Sequence, residues 1–111
     1  MKTITLYTSI LIIALFSLSA LAAESHLNQA IQHADTAVRA PDGKTIAEHA
    51  EMAKTHANAA KTEENRDTTG SRHLDAGIKS LDQAIEKGNL GAADSARKAA
   101  EDAVAHLKQA A

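Results

Sequence analysis

The sequence predicts an all-α protein that folds as an up-down-up-down four-helix bundle made of two similar helical hairpins. Large aliphatic residues recur at helical spacing, as at Leu27, Ile31 and Val38. Alanine, the best helix former, supplies 22 of the last 89 residues. Short polar breaks divide these periodic segments into four, and short links between neighbouring helices favour a bundle.

The first 22 residues are predicted to be a cleaved secretory signal peptide, outside the fold. Lys2 precedes an apolar run at residues 10–18, and small residues at 19–23 suit a signal peptidase. Cleavage is expected after residue 22, which leaves residues 23–111 as the helical domain, or alternatively after residue 23. We therefore expect a periplasmic protein with no stable membrane insertion after processing.

The composition of this domain excludes several classes of function. The chain has no cysteine, which excludes disulfides, thiolate metal sites and covalently attached haem. Its only aromatic residues, Tyr7 and Phe16, lie in the leader. Residues 23–111 carry 11 basic and 14 acidic side chains, a net charge of −3. Without aromatic stacking surfaces or a basic excess, nucleic-acid binding is not expected.

The first hairpin is predicted from two helices at 25–40 and 45–61. Pro41 begins the turn between them, since proline followed by Asp-Gly is typical of turns. Thr45 and Glu48 match a capping box, which predicts that the second helix begins there.

The second hairpin is predicted from helices at 71–87 and 90–109. The polar segment 62–70 ends in glycine and indicates a loop before the third helix. Gly88 is expected to end the third helix, and Asn89 to cap the fourth.

The two hairpins resemble each other in sequence. A shift of 47 residues places the first helix on the third, with His26 on His73. A shift of 50 residues places the second helix on the fourth, with His56 on His106. We interpret the pattern as an internal duplication.

The histidines are the residues that indicate a function, because imidazole binds metal ions. All of them fall on predicted helices. The chain has six: His26, His33, His49, His56, His73 and His106. Two pairs are seven residues apart on one helix, a rise of about 10.5 Å. That distance is too long for two imidazoles to share one metal ion, so any shared site must form between helices.

Folding each hairpin about its turn gives three pairs that stand level: His26 with His56, His33 with His49, and His73 with His106. His26, His33 and His73 are expected to be exposed on the flank of the apolar stripe. His49 and His56 are expected nearer to the seam. Such imidazoles bind Cu(II), Ni(II) or Zn(II), with water or carboxylates completing the shell. Asp102, one turn before His106, is a candidate for that role.

The mature N-terminus offers another possible copper site. Cleavage after residue 23 would leave Glu24, Ser25 and His26 as the first three residues. The free amine, two deprotonated amides and the imidazole then form a square-planar site for Cu(II) or Ni(II). Cleavage after residue 22 moves His26 to the fourth position and removes this site.

The segments 50–56 (AEMAKTH) and 100–106 (AEDAVAH) both spell Ala-x-x-Ala-x-x-His. Together with the leader, the short length and the lack of aromatic residues, this heptad resembles the periplasmic small metal-binding protein family. The resemblance spans residues 23–111. It implies a helical bundle that binds several divalent metals, copper above all, and buffers or scavenges them.

Other interpretations compete with metal binding. A structural or stress-related periplasmic protein with incidental histidines would show no metal-dependent stability. Segment 72–106 is faintly similar to the C-terminal half of cytochrome b562-type carriers, but no methionine on the first helix and no aromatic lining make haem binding unexpected. The sequence offers no Ser-His-Asp arrangement and no Glu-x-x-His pair, so we expect no enzymatic activity. We also expect the protein to be a monomer.

Two further side-chain assignments follow from the pattern. Met52 is interpreted as a residue that fills the core or the flank of the bundle, in preference to a soft copper ligand. Arg97 and Lys98 are interpreted as ordinary solvated charges.

Overall fold

A computed structural model describes residues 25–63 and 67–111, which form helices and contain no strand. The helices are α1 (His26–Val38), α2 (Gly43–Glu63), α3 (Thr68–Asn89) and α4 (Ala93–Ala110). The predicted all-α, four-helix fold is confirmed in these ranges, and no helix in them is long and apolar enough to cross a membrane. The predicted leader lies outside the described residues. Glu24, which belongs to the predicted N-terminal copper site, also lies outside them.

The four helices pack in a ring, each against the next along the chain, and α4 returns to contact α1. Gly43 at the start of α2 meets Gly88 at the end of α3. Arg97, near the start of α4, bonds Val38 at the end of α1. The beginnings of helices therefore contact the ends of their neighbours, as antiparallel packing in a four-helix bundle requires.

Three helices begin at a side chain that accepts a hydrogen bond from the backbone N–H three residues later. These caps are Ser25 (3.1 Å), Asp42 (2.8 Å) and Asp67 (2.7 Å). The predicted capping box at Thr45 is therefore wrong, because Asp42 caps α2 and Thr45 lies inside its first turn. The bonds from Thr45 lower the pKa of the Asp42 carboxyl. Asp67 likewise starts α3 three residues earlier than predicted.

The turn between α3 and α4 also differs from the prediction. Asn89 is the last residue of α3 and not a cap for α4. Ala92 precedes α4 and provides no side-chain cap. Between them, Gly91 adopts φ of +82°, a left-handed conformation that glycine reaches without a steric penalty.

Alanine lines most of the core. The largest fully buried side chains are few: Ile46, Leu74, Leu81 and Leu107. On α1 the buried line runs through Leu27, Ala30, Ala34 and Ala37, whereas Ile31 and Val38 are only partly buried and pack on its edge. Small residues at the contact allow helices to approach closely, so the larger aliphatic residues cover the seam from the side.

Arg97 ties α4 to the end of α1 and is not the solvated charge expected from sequence. Its Nε donates to the Val38 carbonyl at 3.1 Å, and its Nη2 donates to the Ala40 carbonyl at 3.0 Å. Its Nη1 also pairs with Asp94 at 3.3 Å. The guanidinium thus satisfies the Val38 carbonyl, which the end of α1 leaves without an intrahelical partner, and the Ala40 carbonyl in the turn that follows.

We expect Arg97→Met to lower the free energy of unfolding by about 1–3 kcal/mol, because both carbonyls lose a charged donor while the aliphatic stem is retained. Urea unfolding followed by circular dichroism measures the change. Lys98→Met is the matched control, since Lys98 is exposed, and should change stability by less than about 0.5 kcal/mol. An equal loss of unfolding free energy in the two variants would contradict a stabilising role for the Arg97 hydrogen bonds.

Candidate metal site

All six histidines lie on the described helices, and each is half-buried. This corrects the expectation that His26, His33 and His73 are exposed. The core line of alanine residues brings the helices close together, and flank positions therefore become partly covered by the neighbouring helix. The three ring contacts in the described residues involve five of the six histidines.

His26 of α1 and His56 of α2 meet across the first hairpin, as their level positions predict. Their ring centroids are 5.4 Å apart, with an interplanar angle of 28°. Their Nδ1 atoms are 3.1 Å apart, within hydrogen-bonding distance. In neutral rings, one of these nitrogens donates a proton and the other accepts it.

The spacing of these two nitrogens fits a shared metal ion. Metal–imidazole bonds of about 2.0–2.1 Å place adjacent ligand nitrogens about 2.9 Å apart in a square plane and about 3.4 Å apart in a tetrahedron. The observed 3.1 Å lies between these values. A metal ion can replace the shared proton once both rings carry their proton on Nε2 and each ring has turned by roughly 40°, so that the two lone pairs converge on the ion.

His33 contacts His56 instead of forming the predicted pair with His49. The His33 and His56 rings stack with centroids 5.3 Å apart and an interplanar angle of 3°. Helical side chains lean toward the N-terminus of their own helix. In antiparallel neighbours, His33 and His56 consequently lean toward each other. The His56 ring is therefore shared between His26 and His33, two turns apart on α1.

The environment of His56 favours its neutral form. Burial of the ring is the main cause that lowers the pKa of His56, and the neighbouring His33 and His26 lower it further by charge repulsion. A neutral imidazole is the form that binds metal ions. His56 consequently remains neutral, and able to bind a metal ion, at a lower pH than an ordinary histidine does.

The second hairpin repeats the first pair with a wider spacing. His73 and His106 stack with centroids 6.2 Å apart and the same interplanar angle of 28°, as their level positions predict. The His106 Nδ1 is buried and has no hydrogen-bond partner. It is the counterpart of the His56 nitrogen that contacts His26. An unsatisfied buried polar atom costs about 1–3 kcal/mol, which a metal ion or a water at this nitrogen would offset.

The other two candidate residues lie apart from these ring contacts. His49 is half-buried on α2, and its Nδ1 is buried without a hydrogen-bond partner. Asp102 is exposed on α4, one turn before His106. Across residues 25–63 and 67–111, no three histidine or acidic side chains come close enough together to hold a metal ion. Water molecules would therefore complete the shell of an ion bound by either histidine pair.

The sequence matches the family model described as small metal-binding protein over residues 1–110. The matched range includes both hairpins and every histidine. No curated protein matches the chain.

Proposed function

Because the chain belongs to the small metal-binding protein family, we propose that it binds one divalent metal ion between the helices of each hairpin. His26 and His56 supply the nitrogens in the first hairpin, and His73 and His106 supply them in the second. The protein has a binding role without catalysis. It buffers or scavenges metal in the periplasm after removal of its leader.

The observation that carries this proposal is the 3.1 Å distance between the Nδ1 atoms of His26 and His56. Two ring nitrogens at this spacing fit one ion, and binding requires both rings to turn so that their lone pairs converge on it. The repeated ring pair at His73 and His106 extends the same argument to the second hairpin.

Cu(II) is the favoured ion, and Zn(II) and Ni(II) bind more weakly at the same sites. Nitrogen sites generally bind Cu(II) more tightly than its first-row divalent neighbours, and imidazole suits all three ions. Only two protein ligands hold each ion, and water fills the other positions. Such a shell exchanges its metal readily, as a buffering role requires.

The pH dependence of metal affinity tests this proposal. Imidazoles must lose their protons to bind metal, so affinity falls as the pH drops below the usual histidine pKa of about 6.5. We expect the Zn(II) affinity measured by calorimetry to fall between about 10-fold and 100-fold from pH 7.5 to 5.5, since two rings are involved and His56 resists protonation. An affinity that stays constant over this range would contradict histidine ligation. A lack of saturable binding at either pH would favour a structural role.

A further inference from the structure

The two hairpins share a histidine pair but differ in the donor groups beside it. The shift of 50 residues that places His56 on His106 also places Met52 on Asp102. The shift of 47 residues that places His26 on His73 places His33 on Ser80. The first hairpin thus has a thioether and a third imidazole where the second has a carboxylate and a buried hydroxyl.

Met52 is not a packing residue of the core, because 46% of its surface is exposed. It lies one helical turn before His56 on α2, and side chains four residues apart on a helix are neighbours, with Cβ atoms about 5–6 Å apart. An exposed thioether in this position adds little to the stability of the bundle. The metal-binding side chain one turn further along the same helix is His56.

The ion pairs of α2 show which flank Met52 occupies. Lys54 pairs with Asp82 of α3 at 2.6 Å, so the flank of α2 that carries Lys54 faces α3. Residues two apart on a helix point in nearly opposite directions, about 200° apart. Met52 therefore lies on the opposite flank, the side where His56 contacts α1.

His33 brings a second imidazole within about one helical turn of Met52. The His56 ring contacts both His26 and His33, so its level on α1 falls between them. Because the helices are antiparallel, moving one turn back from His56 to Met52 moves toward the end of α1. Met52 consequently lies between the levels of His26 and His33, about one helical turn from each. One thioether and two imidazoles are thus placed together on the surface of the first hairpin.

We propose that Met52, His33 and His56 form a binding site for Cu(I). Thioether and imidazole are ligands that Cu(I) accepts, whereas carboxylate and water suit harder ions. The second hairpin, with Asp102 in place of Met52, keeps its preference for divalent ions. This inference rests on the proposed function only in that both require His56 as a ligand.

The experiment compares the exported protein with its Met52→Leu variant, supplied anaerobically with Cu(I). Competition with a chromogenic Cu(I) chelator gives the Cu(I) affinity, and calorimetry gives the Zn(II) affinity of the same preparations. Leucine keeps the apolar volume at a half-exposed position, so the fold is retained. We expect the Cu(I) affinity to fall at least about 10-fold while the Zn(II) affinity is unchanged, because only the soft ligand is lost.

Nuclear magnetic resonance provides a direct second measurement, since Met52 is the only methionine after Met1. Cu(I) is diamagnetic, so the Met52 methyl signal should shift on addition of Cu(I) and stay in place with Zn(II). An unmoved methyl signal at saturating Cu(I), together with equal Cu(I) affinities, would overturn the Cu(I) site while leaving Zn(II) binding intact. If the unaltered protein bound neither ion, the proposed function itself would be wrong.

Discussion

Replacing His56 with alanine is expected to remove the metal site of the first hairpin. His56 is the ring that contacts both His26 and His33, so the variant leaves no pair of imidazoles in contact there. Loss of a supporting group around a metal typically lowers affinity 10–100-fold, and loss of a ligand should lower it by at least about 100-fold. Native mass spectrometry with Zn(II) should show one bound ion instead of two.

His49→Ala is the control for this variant. It removes a half-buried histidine from the same helix, two turns away, but none of the three ring contacts. We expect it to keep both ions. A loss of one ion in His49→Ala, with His56→Ala unaffected, would show that the sites are built from other histidines.

Gly88→Ala is expected to destabilise the bundle by about 2 kcal/mol or more, a large effect for a single methyl group. A Cβ on Gly88 would overlap the carbonyl oxygen of Gly43 and lie 3.0 Å from the Cβ of Ala47. Backbone atoms cannot rotate away, so α2 and α3 would have to separate. The gain in helix propensity, about 1 kcal/mol, offsets only part of the loss. Thermal unfolding should show a fall of roughly 10 °C.

Gly77→Ala provides a matched comparison on the same helix. There a Cβ would lie 2.8 Å from Cδ2 of Leu107, the far end of a flexible side chain. Leu107 can adjust, so this variant should stay within about 1 kcal/mol of the unaltered protein. If Gly88→Ala proved as stable as Gly77→Ala, the close glycine contact between α2 and α3 would not hold.

Helical periodicity and turn residues predicted the number and order of the helices correctly, because alanine-rich amphipathic segments have few alternatives. Hairpin symmetry also predicted that His26 meets His56 and that His73 meets His106. The position of the turn places both pairs level, but level position alone does not ensure a contact, since His33 and His49 are level too and the His33 ring contacts His56 instead.

Features that depend on how closely the helices approach were not predictable. The expected apolar stripe included Ile31 and Val38, but small side chains occupy the seam because they permit the closer approach. Because the helices approach each other closely along this seam, every histidine is half-buried, including those expected to be exposed.

Side-chain direction accounts for the remaining differences. Level positions on the backbone predicted His49 as the partner of His33, whereas the lean of helical side chains selects His56. Arg97 looked like a surface charge because its acceptors, the carbonyls at the end of α1, lie more than 50 residues away in sequence. No local pattern could have indicated that contact.

The most direct test of shared histidine sites is ring nitrogen nuclear magnetic resonance of the protein during titration with Zn(II), which is diamagnetic. Coordination between the helices of the first hairpin predicts that the Nδ1 signals of His26 and His56 move together to metal-bound shifts, and that both rings carry their proton on Nε2. Nδ1 signals that remain in place while Zn(II) binds elsewhere would contradict the account.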